Sequence, residues 1–200
     1  MTTDPTDLTS LLGSRICHDL ISPLGAIGNG VELLGMTAAT AGPEVALIAE
    51  SVNNANARIR FFRIAYGAAE RGHAVARREV LSVLEDVTRG GRLSVDWQVP
   101  GDVARPTVKL AFLALQCMET ALPFGGRVTI GSDGPAWRIE GHGEKLRVEP
   151  ALWSRITERN AGTAGLAPAH VQFALLPAEL ARQGLRAEAE IGPARVTISY

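Results

Sequence analysis

The chain has 200 residues, 46% of them apolar, with 20 basic side chains against 21 acidic ones. That apolar fraction is enough for a packed core and excludes wholesale disorder, while a net charge of −1 provides no global field to draw in nucleic acid or an acidic membrane surface. Met1 to Asp7 holds no basic residue and precedes no apolar segment, no run approaches the roughly 18–20 apolar residues of a membrane span, and Cys17 and Cys117 stand far apart without CxxC partners. A cytoplasmic protein is expected, with no signal peptide, disulfide framework or cysteine zinc site.

In chain order, the first predicted element is a long helix. Leu12, Ile16, Leu20, Leu24, Ile27, Val31 and Leu34 recur at intervals of three or four, the helical period sustained over six turns. Asp7 or Thr9 is the expected cap and Gly35 marks the end. After a small, turn-prone linker from Thr37 to Gly42, Pro43 suits the first position of a second helix. That helix carries Val45, Ile48, Val52, Ala55, Ile59, Phe62 and Tyr66 in the alternating spacing of a bundle seam, ending near Gly67 or Gly72. A two-helix hairpin cannot surround its own apolar stripe. Either two copies pair into a dimeric four-helix bundle, which is the expected arrangement, or the stripe packs on the rest of the same chain.

A boundary around Arg71 to Arg78 divides the chain into residues 1–72 and 73–200. The second part reads as a short helix at Glu79–Arg89, a strand at Leu93–Val99 and an apolar helix from Pro106 to about Leu122, stopped by Pro123 and Gly125–Gly126. Strands follow at Arg127–Gly131, Ala136–Glu140 and Lys145–Val148, helical stretches at Ala151–Arg159 and Pro168–Gln183, and a closing hairpin from Leu185–Ile191 and Arg195–Tyr200. The predicted fold class is therefore α+β, a helical hairpin followed by an α/β sandwich with its sheet covered on one face.

Four histidines are present: His18, His73, His142 and His170. With Ile16 at zero and about 100° per residue, the apolar stripe of the first helix centres near 25° and His18 falls near 200°, on the opposite side. An exposed histidine alone is an ordinary surface residue. Its context is His18-Asp19-Leu20-Ile21-Ser22-Pro23-Leu24, with a proline inside the helix that costs about 3 kcal/mol relative to alanine. A neutral imidazole is a nucleophile able to hold a phosphoryl group, and an adjacent carboxylate can orient the ring. Histidine, acid, two spacers, hydroxyl and proline on a dimerising hairpin resemble the phosphoacceptor box of two-component histidine kinases. The rival reading of His-Asp as a metal pair of HD-type hydrolases lacks ligands from other helices.

The second part is similar in element order to a histidine-kinase ATPase domain, without its chemical parts. Aligned on Leu122-Pro123-Phe124-Gly125-Gly126, the positions of the two kinase asparagines hold Leu113 and Cys117. Gly141 and Gly143 match the adenine-binding turn only in their glycines, with Ile139 at the aspartate position, and Gly162 and Gly165 match the lid faintly. Magnesium triphosphate needs hard oxygen ligands, and these positions are apolar.

A phosphoacceptor box joined to a degenerate nucleotide domain resembles the ChpT-type histidine phosphotransferases, most densely over Leu11 to Leu34 and more weakly to the C-terminus. The resemblance implies a homodimer in which His18, assisted by Asp19, accepts a phosphoryl group from the receiver domain of a hybrid histidine kinase and passes it to receiver aspartates of response regulators. It implies no bound cofactor, magnesium being supplied by the partner receiver domain, and no nucleic-acid or membrane partner. It implies a phosphotransferase acting through phosphohistidine rather than an ATP-dependent kinase. An active kinase core and a non-catalytic scaffold that docks response regulators remain as alternatives.

Ser22, Gly25, Asn29 and Glu32 fall within about 40° of His18 on the wheel. They are small or polar, and Gly25 costs about 1 kcal/mol in a helix interior, so the stripe is the expected floor for a receiver's helix. Arg58, Arg60, Arg63, Arg71, Arg77 and Arg78 form either a solvated face or a contact for an acidic receiver surface, and Trp97, Trp137 and Trp153 are expected in the core or at a sheet edge.

Overall fold

The computed structural model describes residues 5–36, 42–69, 72–158 and 162–200, with the backbone alone at 5–11, 13, 14, 17, 18, 21 and 35. Helix α1 (Pro5–Met36) begins with proline at its first position, so Asp7 and Thr9 lie inside the first turns and do not cap it. It continues through Pro23 without interruption. Most of the Thr37–Gly42 linker lies outside the described residues, and Gly42 caps helix α2 (Pro43–Ala65) with extended backbone ahead of Pro43.

The hairpin closes where Gly30, the one α1 position described as buried, lets α2 approach. A Cβ at Gly30 would run into the Ile48 side chain. The seam expected on α2 separates into two rows. Ala55 and Phe62 are buried within the chain, whereas Val45, Val52 and Ile59, seven residues apart, are exposed. Leu24 and Val31, also seven apart, are the exposed row on α1.

Beyond the hairpin come β1 (Ala74–Val75), α3 (Arg77–Thr88), β2 (Leu93–Trp97), β3 (Val103–Ala104), α4 (Arg105–Ala121), β4 (Gly126–Asp133), β5 (Ala136–His142), α5 (Pro150–Thr157), α6 (Gln172–Arg182), β6 (Glu188–Ile191) and β7 (Arg195–Ser199). The main sheet has the order β2-β4-β5-β7-β6, with β2 and β4 parallel and the other pairs antiparallel. The fold class is thus α+β with a mixed sheet. The two-residue pair β1–β3 carries no periodic signal and was not expected from the sequence. Lys145–Val148, expected as a strand, is irregular: the Arg147 N–H donates to the Ala121 carbonyl and closes the end of α4, leaving charged Glu144, Lys145 and Arg147 exposed. The α5 prediction extends to Arg159, which lies outside the described residues.

Helix α4 is buried at every position from Leu110 to Met118, and all of these are apolar except Gln116. It packs on the sheet face formed by Val128, Ile130, Ile139, Val196 and Ile198, all fully buried, while Arg127, Arg138 and Arg195 point outward. The same core continues into the hairpin through Phe61, Ile64 and Ala65, with Phe61 stacked on Phe112 at 4.8 Å between ring centroids. Trp97, Trp137 and Trp153 are buried, in keeping with the expected core or sheet-edge placement. After α4 the chain turns at Gly125, whose φ of +99° is open to glycine at little cost.

Candidate functional site

Residues Arg15 to Ser22 occupy the middle of α1. His18 belongs to this helix, and its side chain lies outside the described residues. One turn separates Arg15 from Asp19, and the i,i+4 spacing brings them together: Arg15 Nε donates to Asp19 Oδ2 at 2.8 Å. A second arm, Arg15 Nη1, donates to the Ala169 carbonyl in the 3-10 turn Pro168–His170. Both side chains are largely enclosed, at 12% and 13% exposure. Asp19, expected as the group that orients His18, therefore has one carboxylate oxygen on Arg15. The sequence reading overlooked Arg15; its spacing to Asp19 was the available signal.

Next to this turn runs a groove of about 530 Å3, walled by Asp19, Ser22 and Pro23 of α1, by Glu50, Asn54 and Arg58 of α2, and by Arg89 and Gly90 after α3. Of the expected stripe, Ser22 lines this groove, while Gly25, Asn29 and Glu32 are exposed on α1 outside its lining. Nothing lies within 4 Å of where a Gly25 Cβ would be. Helix packing is thus the task of Gly30 and not of Gly25.

One wall residue of the groove, Arg58, also reaches toward α4. Arg58 lies 3.8 Å from Glu119 of α4. Desolvation pushes the Glu119 carboxyl upward, against the lowering effect of Arg58 and Arg15. The Tyr66 hydroxyl donates to Gln116 Oε1 at 3.0 Å, and burial pushes its pKa up to about 12. Of the other arginines read as a solvated face, Arg60 pairs with Asp86 at 2.6 Å, Arg63 with Glu79 at 3.6 Å, and Arg77 donates to the Val99 carbonyl. Arg58 and Arg60 are part-buried ties to α4 and α3, whereas Arg63, Arg77 and Arg78 are exposed, as expected of a solvated face. Arg71 lies outside the described residues.

Of the remaining histidines, His170 lies in a segment that meets α1, the 3-10 turn that Arg15 reaches. His142 pairs with Glu140 at 2.7 Å on the outer sheet face, His170 meets Phe173 edge-on, and His73 is exposed beside β1. Leu113, Cys117 and Ile139 are fully buried. Cβ atoms added at Gly141 would lie 3.0 Å from Leu122 Cδ1 and 3.1 Å from Met118 Sδ, and one at Gly143 would also meet Leu122. Apolar side chains thus occupy the space beside these glycines. Among the described residues, no helix is long and apolar enough to cross a membrane.

Residues 77–195 match the family model described as the histidine phosphotransferase C-terminal domain. A protein phosphotransferase ChpT from Brucella abortus (strain 2308) is 38% identical over 171 residues, covering 82% of this chain and 79% of the relative. A solved structure described as a bacterial phosphotransferase superposes with a TM-score of 0.82 at 30% identity, covering all of this chain and 98% of that one. The match beyond the family model extends the likeness over the hairpin that carries His18-Asp19 and the groove, and on these grounds the chain belongs to the ChpT-type histidine phosphotransferases.

Proposed function

We propose that this chain relays phosphoryl groups between receiver domains through His18, with residues 1–72 as the transfer and dimerisation unit and 73–200 as a degenerate ATPase-like unit. The observation that carries the reading is the open groove at the His18 turn, walled by Asp19 and Ser22, with Gly25 and Asn29 short and exposed on the same helix. A receiver's helix fits there because ridges seat only where the opposing side chains are small.

An imidazole nitrogen of His18 attacks the phosphorus of an aspartyl phosphate, forming an N–P bond as the acyl P–O bond breaks and the carboxylate is returned. The reverse step delivers the group to a second receiver. The hybrid kinase's receiver is the donor, response regulators are the recipients, and magnesium arrives with the receiver. The groove carries Arg58 and Arg89 together with Asp19, Glu50 and Asp86, with Arg89 paired to Asp86 at 2.7 Å, so its fit to a receiver rests on shape rather than on net charge. Leu113, Cys117 and Ile139 present no hard oxygen to a metal–nucleotide complex, which supports transfer rather than ATP-dependent phosphorylation.

Incubation with a radiolabelled phosphorylated receiver domain should place acid-labile phosphate on the wild type and none on His18→Ala. Magnesium ATP alone should label neither. An unlabelled wild type would favour the docking scaffold, and labelling by ATP would favour the kinase.

The same reading makes the protein a homodimer. Leu24, Val31 and Ile59 are 59%, 57% and 51% exposed, and together with Val45 and Val52 they form two rows of seven-residue period. Such rows are the seam of a bundle completed by a second copy. A Val52→Asp/Ile59→Asp double variant should sediment as a monomer with its helical circular dichroism retained. A wild type that sediments as a monomer at micromolar concentration would remove the bundle.

A further inference from the structure

We propose that Arg15 is a positioning residue for phosphotransfer: its guanidinium fork ties the α1 turn bearing His18 to the 3-10 turn Pro168–His170 and holds the Asp19 carboxylate at a fixed height beside the phosphoacceptor. The inference rests on His18 being that acceptor.

The guanidinium of Arg15 forms a two-armed fork. Nε reaches Asp19 Oδ2 at 2.8 Å within one helix, and Nη1 reaches the Ala169 carbonyl, 154 residues away in sequence. A guanidinium presents both donors in one plane, so the two bonds restrain each other, and a lysine ammonium cannot reproduce that geometry. Ile16 supplies the apolar part of the same docking by packing against the core. Apolar contact alone permits a helix to slide or roll. A two-armed polar tie does not.

The second step concerns the charge on Asp19. Its carboxylate is 13% exposed and its negative charge acts against both Glu119 on α4 and Tyr66 after α2. Arg15 is the cation on α1 that bonds it, and Arg58 on α2 faces Glu119. Removing Arg15 takes away the Nε bond that fixes one Asp19 carboxylate oxygen, so the side chain can change its orientation on the helix. That change displaces a fixed negative charge on the residue next to His18. The nucleophilic tautomer of an imidazole is selected by the hydrogen bond or charge that its other nitrogen meets. Arg15 thus acts on the reaction through Asp19, without touching the phosphoryl group.

The test uses the full chain as wild type, Arg15→Met and Arg15→Lys, with a phosphorylated receiver domain as donor. Arg15→Met should lower kcat about ten- to a hundredfold, the loss expected from a small misplacement of a reacting group, while KM for the receiver stays within about twofold. In the unphosphorylated protein, 15N resonances of the His18 ring should show a shifted tautomer ratio, and the amides of Ala169 and His170 should exchange faster. Arg15→Lys should recover part of kcat and less of the amide protection. Unchanged kcat in Arg15→Met overturns the proposal. So does a fall in kcat with the tautomer ratio unchanged, which would make Arg15 merely structural, and so does a loss confined to KM. A wild type that takes up no phosphate removes the phosphoacceptor reading instead; the tautomer and exchange measurements then still decide whether Arg15 orders this turn.

Discussion

Gly25→Arg should slow phosphotransfer from a receiver domain about a hundredfold, the cost of displacing reacting groups by roughly an ångström or more, and at the same time make the protein slightly more stable. Gly25 sits mid-helix on α1, exposed, with nothing within 4 Å of the position a Cβ would take. Replacing an unstrained helical glycine by arginine adds about 0.5–1 kcal/mol of helix stability. No packing contact is lost, so the thermal midpoint should hold or rise and the dimer should persist. The long side chain would project from the exposed α1 face that Gly25 shares with Ser22 and Asn29, where the proposed receiver helix lies. Asn29→Ala should act in the same direction and more weakly, since it removes a polar contact without adding bulk. Single-turnover transfer with the same labelled receiver measures both. A Gly25→Arg protein with wild-type transfer would place the docking surface elsewhere on the hairpin. An accompanying drop in the melting temperature would show that Gly25 packs against a partner helix in the dimer.

Phe61→Ala should destabilise the protein by about 3–5 kcal/mol, the range for a truncated buried aromatic. The ring is fully buried, stacks on Phe112 of α4 at 4.8 Å and meets Phe62 edge-on at 6.2 Å. That cost is a large share of the 5–15 kcal/mol that about sums to the net stability of an ordinary domain. Because the ring lies where the hairpin enters the core of the α/β part, its loss should also loosen the ties around it, including Arg58–Glu119 and Tyr66–Gln116. Urea denaturation followed by circular dichroism gives the free-energy change. A loss under about 1 kcal/mol, typical of a surface substitution, would mean that hairpin and sheet do not share a core. Phe62 is the contrasting position. Its a/d spacing places it in a seam between copies, yet it is 5% exposed within one chain and stacks on Tyr66 at 5.2 Å.

That contrast shows where legibility ended. The heptad spacing on α2 identified the residues that must leave water, but period alone does not say which neighbour removes them. The α/β core took Phe62 because Phe61 and Tyr66 carry that end of α2 into the sheet domain, while Val52 and Ile59, further along the hairpin, stay exposed. Lys145–Val148 failed for a related reason. A short alternating segment between glycines is as compatible with a strand as with a loop, and the free carbonyl at the end of α4 decided the matter through Arg147.

Local physics was sufficient for whatever depends on neighbours in sequence. The three- and four-residue periods determined α1 and α2, Pro43 marked the start of α2, and the rotation of about 100° per residue grouped Ser22, Gly25, Asn29 and Glu32 on one exposed face with the His18 position. The absence of hard ligands at Leu113, Cys117 and Ile139 was equally visible, because chemistry follows residue type. Tertiary structure decided the rest. Gly30 rather than Gly25 became the close approach, since only the meeting with Ile48 distinguishes two helical glycines. Arg58 and Arg60 became part-buried ties because their partners, Glu119 and Asp86, arrive from other elements, while Arg63, Arg77 and Arg78 stay exposed. Arg15 could pair with Asp19 from spacing alone, but its second arm needed Ala169, brought across 154 residues by the fold. An i,i+4 bond is a property of a helix; a bond between distant segments exists only once the chain entropy of joining them has been overcome by a shared core.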